Sequence, residues 1–357
     1  MPARLDDGIV VDIGHHGRRD QGPDVVGELA RHRRPPHQFR GIDVLLDVSG
    51  HFCLPPVLSR HPGAFVLTGG ASLRWRPSSL LRMSEQTWKA FEVTIADRVA
   101  EVRLTGPGKG NAMGPDFWSE LPVLFGQLDA DPDVRAVVLT GSGKHFSYGL
   151  DLVAMGGTLA TVLADGAQAG PRTEFLDSLR RLQNAITAVA DCRKPVIAAV
   201  SGWCIGGGVD LISAADIRYA SADARFSVRE VKVGMVADVG SLARLPLILS
   251  DGHLRELALT GRDIDAARAE KIGLVNDVAD DQDAVLALAR ATAAEIAANP
   301  PLVVHGIKAV LDHTRSAAVH DSLRYVAAWN SAFLPSKDLT EAITAVFEKR
   351  TPDFTGD

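Results

Sequence analysis

Residues 194–221 are KPVIAAVSGWCIGGGVDLISAADIRYAS. PVIAAV is a short unbroken apolar run, the pattern of a strand buried on both faces. SGWCIGGG then interrupts it with glycines, VDLISAA has the apolar density of a short helix, and IRYAS returns to strand. Strand, glycine turn, helix, strand is the repeating unit of an α/β protein with parallel pairing. Glycines at the mouth of a helix also let the backbone approach a ligand closely. Free N–H groups and the positive end of the helix dipole favour negative charge there.

The same alternation extends upstream. FEVTIADRVAEVRLTG (91–106) predicts two short strands joined by a turn at Asp97–Arg98, and DPDVRAVVLTGSG (131–143) an acidic turn running into a buried strand ended by glycine. PRTEFLDSLRRLQNAITAVADC (171–192) has a helical apolar period. Beyond about residue 240 the strands are expected to stop. LRELALTGR, DAARAEKIG, DAVLALARATAAEIAANP, PLVVHGIKAVLDHT, AAVHDSLRYVAAWNSAF and DLTEAITAVFEKR are successive helical segments.

Residues 1–82 differ from the rest, with 11 Arg, no Lys and 6 of the 11 His. Pro and Gly break their apolar pieces before any period is established. The expected organisation is an extension over 1–82 without a fold of its own, upstream of an alternative start at Met83. An α/β core over 83–280 and a helical region over 281–357 follow it.

Composition narrows the function classes. The net charge of −6, with 27 Lys+Arg against 36 Asp+Glu beyond Met83, does not fit a nucleic-acid partner. Three cysteines without a CxxC or a ladder of spacings exclude a disulfide framework and fit a reducing compartment. No run reaches the roughly 18 apolar residues of a membrane span. A soluble cytoplasmic protein is expected. GSGKHF (141–146) is not a P-loop, because Val138 stands at the required first glycine and His145 at the Ser/Thr. HExxH, zinc-spaced Cys/His clusters and GxSxG do not occur, so no metal is expected.

Two glycine turns remain, FSYGLDL (146–152) after RAVVLTG and IGGGVDL (205–211) after PVIAAV. Two backbone N–H groups converging on a carbonyl would stabilise a developing oxyanion. Farther on, VGMVADVG (233–240) sets Asp238 as the one charged residue in an apolar run. Burying it unpaired would cost several kcal/mol, so it must be hydrogen-bonded, paired or shifted in pKa.

These pieces, with KGNAM (109–113), DIRYASADARFSVREVKVGM (216–235), LTGRDIDAARAEKIGLVNDV (259–278) and FEKRTPDF (347–354), resemble the crotonase (enoyl-CoA hydratase/isomerase) superfamily from about Phe91 to Phe354. The resemblance implies a spiral of ββα repeats followed by a helical trimerisation region. It implies an acyl-CoA thioester substrate with no separate cofactor, a homotrimer or hexamer, and a tail around Lys349 and Phe354 near a CoA site. It also implies an oxyanion hole from the N–H groups of Leu150 and Gly207, and a CoA pocket around Asn111, Ala112, Ser147, Tyr148, Gly149 and Asp151.

The acids discriminate within the family. Hydratases have glutamates where this chain has Asp210 and Glu230, and the shorter Asp210 would hold a catalytic water too far away. Residues 206–246 resemble the same region of Δ3,5-Δ2,4-dienoyl-CoA isomerases, which have Asp, Glu and Asp at the spacing of Asp210, Glu230 and Asp238. The resemblance implies that Glu230 acts at C2, Asp238 at C6 and Asp210 in polar support, with exchange of the first two roles open. The alternatives are an enoyl-CoA hydratase or Δ3,Δ2-enoyl-CoA isomerase using Asp210 and Glu230, and, more distantly, an RNA-binding relative.

Overall fold

The computed structural model describes residues 87–106, 109–157 and 168–357. Upstream it describes the backbone of short antiparallel strand pairs, Gly63–Thr68 with Ser72–Pro77 among them. The reading of residues 1–82 as an extension otherwise lies outside the described residues.

One compact unit runs over Gln86–Asp357. It opens with β1 (Phe91–Ala96) and β2 (Val99–Leu104), an antiparallel hairpin closed by Asp97 and Arg98 at φ +49° and +68°. Two consecutive left-handed residues make the turn whose twist matches paired strands. Helix α1 (Pro115–Ala130) follows, with proline at its start and Asp116 in its first turn, and buries Leu121, Leu124, Phe125 and Leu128. Next come β3 (Ala136–Gly141), α2 (Ala169–Asp191), β4 (Val196–Val200), β5 (Trp203–Ile205), α3 (Gly207–Ser213), β6 (Ile217–Ser221) and β7 (Arg225–Ser227).

The opening stretch of sequence thus folds as expected. Strands β3 and β4 are buried at every position, as their unbroken apolar runs require, whereas β2 alternates.

Strands do not stop at residue 240. After a 3-10 turn (Glu230–Val233), α4 (Ser241–Arg244) and α5 (Asp251–Thr260) come β8 (Ile264–Asp265), α6 (Ala266–Lys271) and β9 (Asp277–Ala279). Both strands are too short to show alternation. Side chains elsewhere locate β9: buried Arg218 donates its Nε to Leu274 O at 2.8 Å, and Asn276 N bonds Arg218 O at 2.7 Å. The six-stranded sheet has the order β9–β6–β4–β3–β2–β1, parallel except at the hairpin, and a second sheet has the order β5–β7–β8.

Four longer helices complete the unit: α7 (Gln282–Ala298), α8 (Pro301–His313), α9 (Ser316–Phe333) and α10 (Lys337–Glu348). The helical region expected from residue 281 begins with a helix that belongs to the core. Val285, Leu286, Ala289 and Ala293 of α7 pack on Ala136, Val138, Ile197 and Ala199 of the sheet. Among the described residues no helix is long and apolar enough to cross a membrane.

Candidate active site

Asn111 anchors the first glycine turn. It sits at φ +52°, which asparagine tolerates, and its Nδ2 donates to the carbonyls of Ser142, His145 and Phe146 at 2.9, 2.8 and 3.2 Å. Ser147 Oγ donates to Asn111 O at 2.9 Å and accepts from Gly149 N at 3.0 Å. Backbone bonds Tyr148 N to Gly110 O, Met113 N to Gly149 O and Asp151 N to Met113 O zip residues 109–113 to 147–151. Asn111 and Ser147 are therefore buried braces whose polar atoms are spent on the turn. Ala112, Tyr148 and Asp151 stay partly exposed; the Tyr148 ring lies over His145 at 5.1 Å, and Asp151 Oδ1 caps Val153 N and Ala154 N.

The bracing brings two amides together. Gly149 has φ +79°, and a Cβ there would stand 2.8 Å from Gly207 N and 2.7 Å from Ile205 O. A Cβ on Gly207 would stand 2.9 Å from Met113 Sδ and 3.5 Å from Leu150 N. Only glycine fits at 149, and at 207 any Cβ would have to displace the buried Met113 thioether. Leu150 N–H and Gly207 N–H are thus neighbours, neither bonded to a described residue, and the second opens α3. They are the two donors expected from sequence.

Three carboxyl groups share this region. Glu230 starts the 3-10 turn, and its Oε1 lies 3.4 Å from the place of a Cβ on Gly206, the residue before the donor Gly207. Its Oε2 is buried without a partner among the described residues. Burial, then the charges of Asp210 and Asp238, push the Glu230 carboxyl well above its ordinary range. Asp238 is raised to about 7 by burial and then by the charge of Asp210, against the opposing hydrogen bond from Asn330 Nδ2 to Oδ2 at 2.5 Å.

Asp210 has no exposed surface, and its Oδ1 accepts from Ser241 N at 2.5 Å. Burial raises it to about 6, against the pull of the Ser241 amide and of the Arg244 charge. All three sequence-predicted acids are therefore brought together: the charge of Asp210 raises both Glu230 and Asp238, and that of Asp238 raises Glu230.

Spacing alone gave no sign of three further residues. Asn330 of α9 is buried and holds both Val236 O, at 2.9 Å, and the Asp238 carboxylate. Gln183 of α2 donates its Nε2 to Asp238 O at 2.7 Å and Leu323 O at 3.0 Å. Arg244, buried at the end of α4, donates Nη2 to Thr187 Oγ1 at 2.9 Å, and its Nη1 has no partner among the described residues. The signal for Asn330 and Gln183 is a polar residue in the apolar stripe of a helix.

Residues 94–357 match the enoyl-CoA hydratase/isomerase family. A mitochondrial Δ(3,5)-Δ(2,4)-dienoyl-CoA isomerase of Dictyostelium discoideum is 40% identical over 280 residues, covering 78% of this chain and 94% of that protein. A peroxisomal protein of the same name from Arabidopsis thaliana is 42% identical over 276 residues, 76% of this chain and 99% of that protein. The crystal structure of an enoyl-CoA hydratase/isomerase from Mycobacterium paratuberculosis superposes with a TM-score of 0.63 at 33% identity, covering 71% of this chain and 97% of that one. A cluster of three acids beside paired amides, on a fold shared with these proteins over most of its length, makes the chain an enzyme of the enoyl-CoA hydratase/isomerase family.

Proposed function

We propose that the enzyme isomerises 3,5-dienoyl-CoA to 2,4-dienoyl-CoA in fatty-acid β-oxidation. The observation that carries this reading is Asp238, a third carboxyl group coupled to Glu230 and Asp210 and anchored by Asn330. Moving two conjugated double bonds requires removal of a proton at C2 and delivery of one at C6. Two acids must therefore stand at opposite ends of a dienolate. Glu230 lies against Gly206, beside the donor Gly207, and so takes the C2 end; Asp238 takes the far end. The thioester oxygen, negative in the dienolate, accepts from Leu150 N and Gly207 N, an interaction typically worth about 3 kcal/mol per donor.

The charge of Asp238 raises Glu230, so ionising both at once is disfavoured. Forward turnover starts with the proton on Asp238 and leaves it on Glu230. A proton transfer from Glu230 back to Asp238, directly or through solvent, therefore resets each cycle. Asp210 serves as polar support, because its Oδ1 is held by Ser241 N and the residue has no exposed surface to position a water. Hydration, the chemistry of a lyase, has no comparable support.

In this reading CoA is part of the substrate and no other cofactor enters. CoA is proposed to lie along Ala112, Tyr148 and Asp151, over the braces Asn111, Ser147 and Gly149. A homotrimer or hexamer and a cytoplasmic location belong to the same proposal; the buried free thiols of Cys192 and Cys204 fit a reducing compartment.

The test is a screen of acyl-CoA thioesters read by mass and absorbance, with a 3,5-dienoyl-CoA and crotonyl-CoA among them. Conversion of the dienoyl-CoA without change of mass is expected. Asp238→Asn should lower that rate about 10²–10⁴-fold while CoA binding persists. Hydration of crotonyl-CoA as the main activity, or a fully active Asp238→Asn enzyme, would overturn the reading.

A further inference from the structure

The turn after Asp238 holds a hydrogen-bond donor to Asp210 and a buried cation whose charge reaches it. Ser241 N donates to Asp210 Oδ1, and three residues later Arg244 turns its guanidinium back over Gly240. A Cβ on Gly240 would stand 2.6 Å from Arg244 Nη1 and 3.5 Å from Asp210 O, so glycine makes the passage for the cation. Arg244 Nη1, Asp210 Oδ2 and Ser241 Oγ are all buried without a hydrogen-bond partner among the described residues, and Arg244 and Asp210 interact through charge without a direct ion pair. An unpaired buried guanidinium is costly unless a negative charge compensates it. We infer that Arg244 is a positioning residue whose buried charge keeps the Asp210 carboxylate ionised, and so sets how Glu230 and Asp238 divide their proton.

The surroundings leave Asp210 as the buried counter-charge. From α2, Thr187 accepts from Nη2, Ile186 packs near Gly240, and Asp191 adds a second, solvent-exposed negative charge. Helix α9 meets this turn through Val319 and Leu323 against Ala243, an apolar contact. On the side of Asp210 the titratable neighbours are the Cys204 thiol, pushed up by burial and by Asp210, and the two other acids. An ionised Asp210 raises both Glu230 and Asp238. Removing the Arg244 charge should therefore protonate Asp210 near neutral pH and let the other two carboxyl groups become stronger acids.

This inference rests on the isomerase reading for its consequence in catalysis, but Asp210 can be followed directly. Infrared titration of the carboxyl band that Asp210→Asn removes should show its midpoint rising by about one pH unit or more in Arg244→Gln. In Arg244→Lys, which keeps the charge, the midpoint should stay. The pH profile of kcat/KM for the dienoyl-CoA should move toward acid in Arg244→Gln and in Asp210→Asn. The double variant should move no further than either.

An unmoved Asp210 midpoint in Arg244→Gln, or Arg244→Lys behaving like Arg244→Gln, overturns the inference and leaves Arg244 a packing residue. If Arg244→Gln does not fold, Thr187→Val loosens the guanidinium without deleting it. A raised midpoint there supports the inference, and an unmoved one overturns it. A wild type that leaves dienoyl-CoA unchanged refutes the isomerase reading alone, and the infrared midpoints still judge Arg244.

Discussion

In the proposed mechanism Asp238 links catalysis to stability through a single proton. Its carboxyl is raised from an ordinary 3.8 to about 7, chiefly by burial, so between those values the folded chain holds a proton that the unfolded chain has released. The associated stabilisation is complete below pH 3.8 and is lost as pH rises through 7. Converted at about 1.4 kcal/mol for each pKa unit, it amounts to at most about 4 kcal/mol. Asp238→Asn, which keeps size and hydrogen bonding but cannot ionise, should therefore gain stability over wild type between pH 4 and pH 8. Urea unfolding of both proteins at the two pH values measures it, and equal differences at both would contradict the burial described for Asp238. The acid itself was legible in the sequence, because one charge in the run VGMVADVG must be compensated. Its compensation was not. Asn330 lies 92 positions farther on in an ordinary amphipathic helix, and Arg244 is spaced like any cation at the end of a helical turn.

Residues 236–239 hang between two helices. Gln183 on α2 binds Asp238 O and Leu323 O, and Asn330 on α9 binds Val236 O and the Asp238 side chain, so the acid is placed by elements far apart in the chain. Gln183→Leu should leave the Asp238 carbonyl unpaired, at about 1–3 kcal/mol. It should lower kcat for the dienoyl-CoA more than it changes KM, because it displaces an acid and no binding surface; denaturant unfolding and steady-state kinetics check both effects. The period of α2 and α9 was readable because each has many residues on one apolar face. Strands β8 and β9 were not, since two or three residues show no alternation and pairing with β7 and β6 creates them. Helix α7 was recognised as a helix, but its stripe does not await a second subunit: Val285, Leu286 and Ala289 cover the chain's own sheet.

At the scale of the whole molecule the unsatisfied surface is on the last helices. Leu302 and Val310 of α8 are 83% and 73% exposed, and Tyr325 of α9 is 69% exposed, with Ile307, Leu311 and Phe333 also open. Apolar area on that scale marks an interface. Light scattering at micromolar concentration should therefore report three or six copies, and Leu302→Glu with Val310→Glu should lower the mass without loss of helical circular dichroism. A monomeric wild type would remove this expectation and leave the acid triad untouched. The stripe on α8 was visible in the sequence, whereas only the packed core could say that α8, and not α7, carries the open face. Asp210, Glu230, Asp238, Asn330 and both amide donors belong to one chain, which has an arithmetic consequence for any assembly. Oligomers reconstituted from wild type and an Asp238→Asn variant should lose activity in direct proportion to the variant fraction, with no threshold. Two differently crippled partners, Asp238→Asn and Gly207→Val, should not rescue one another, because every subunit works alone.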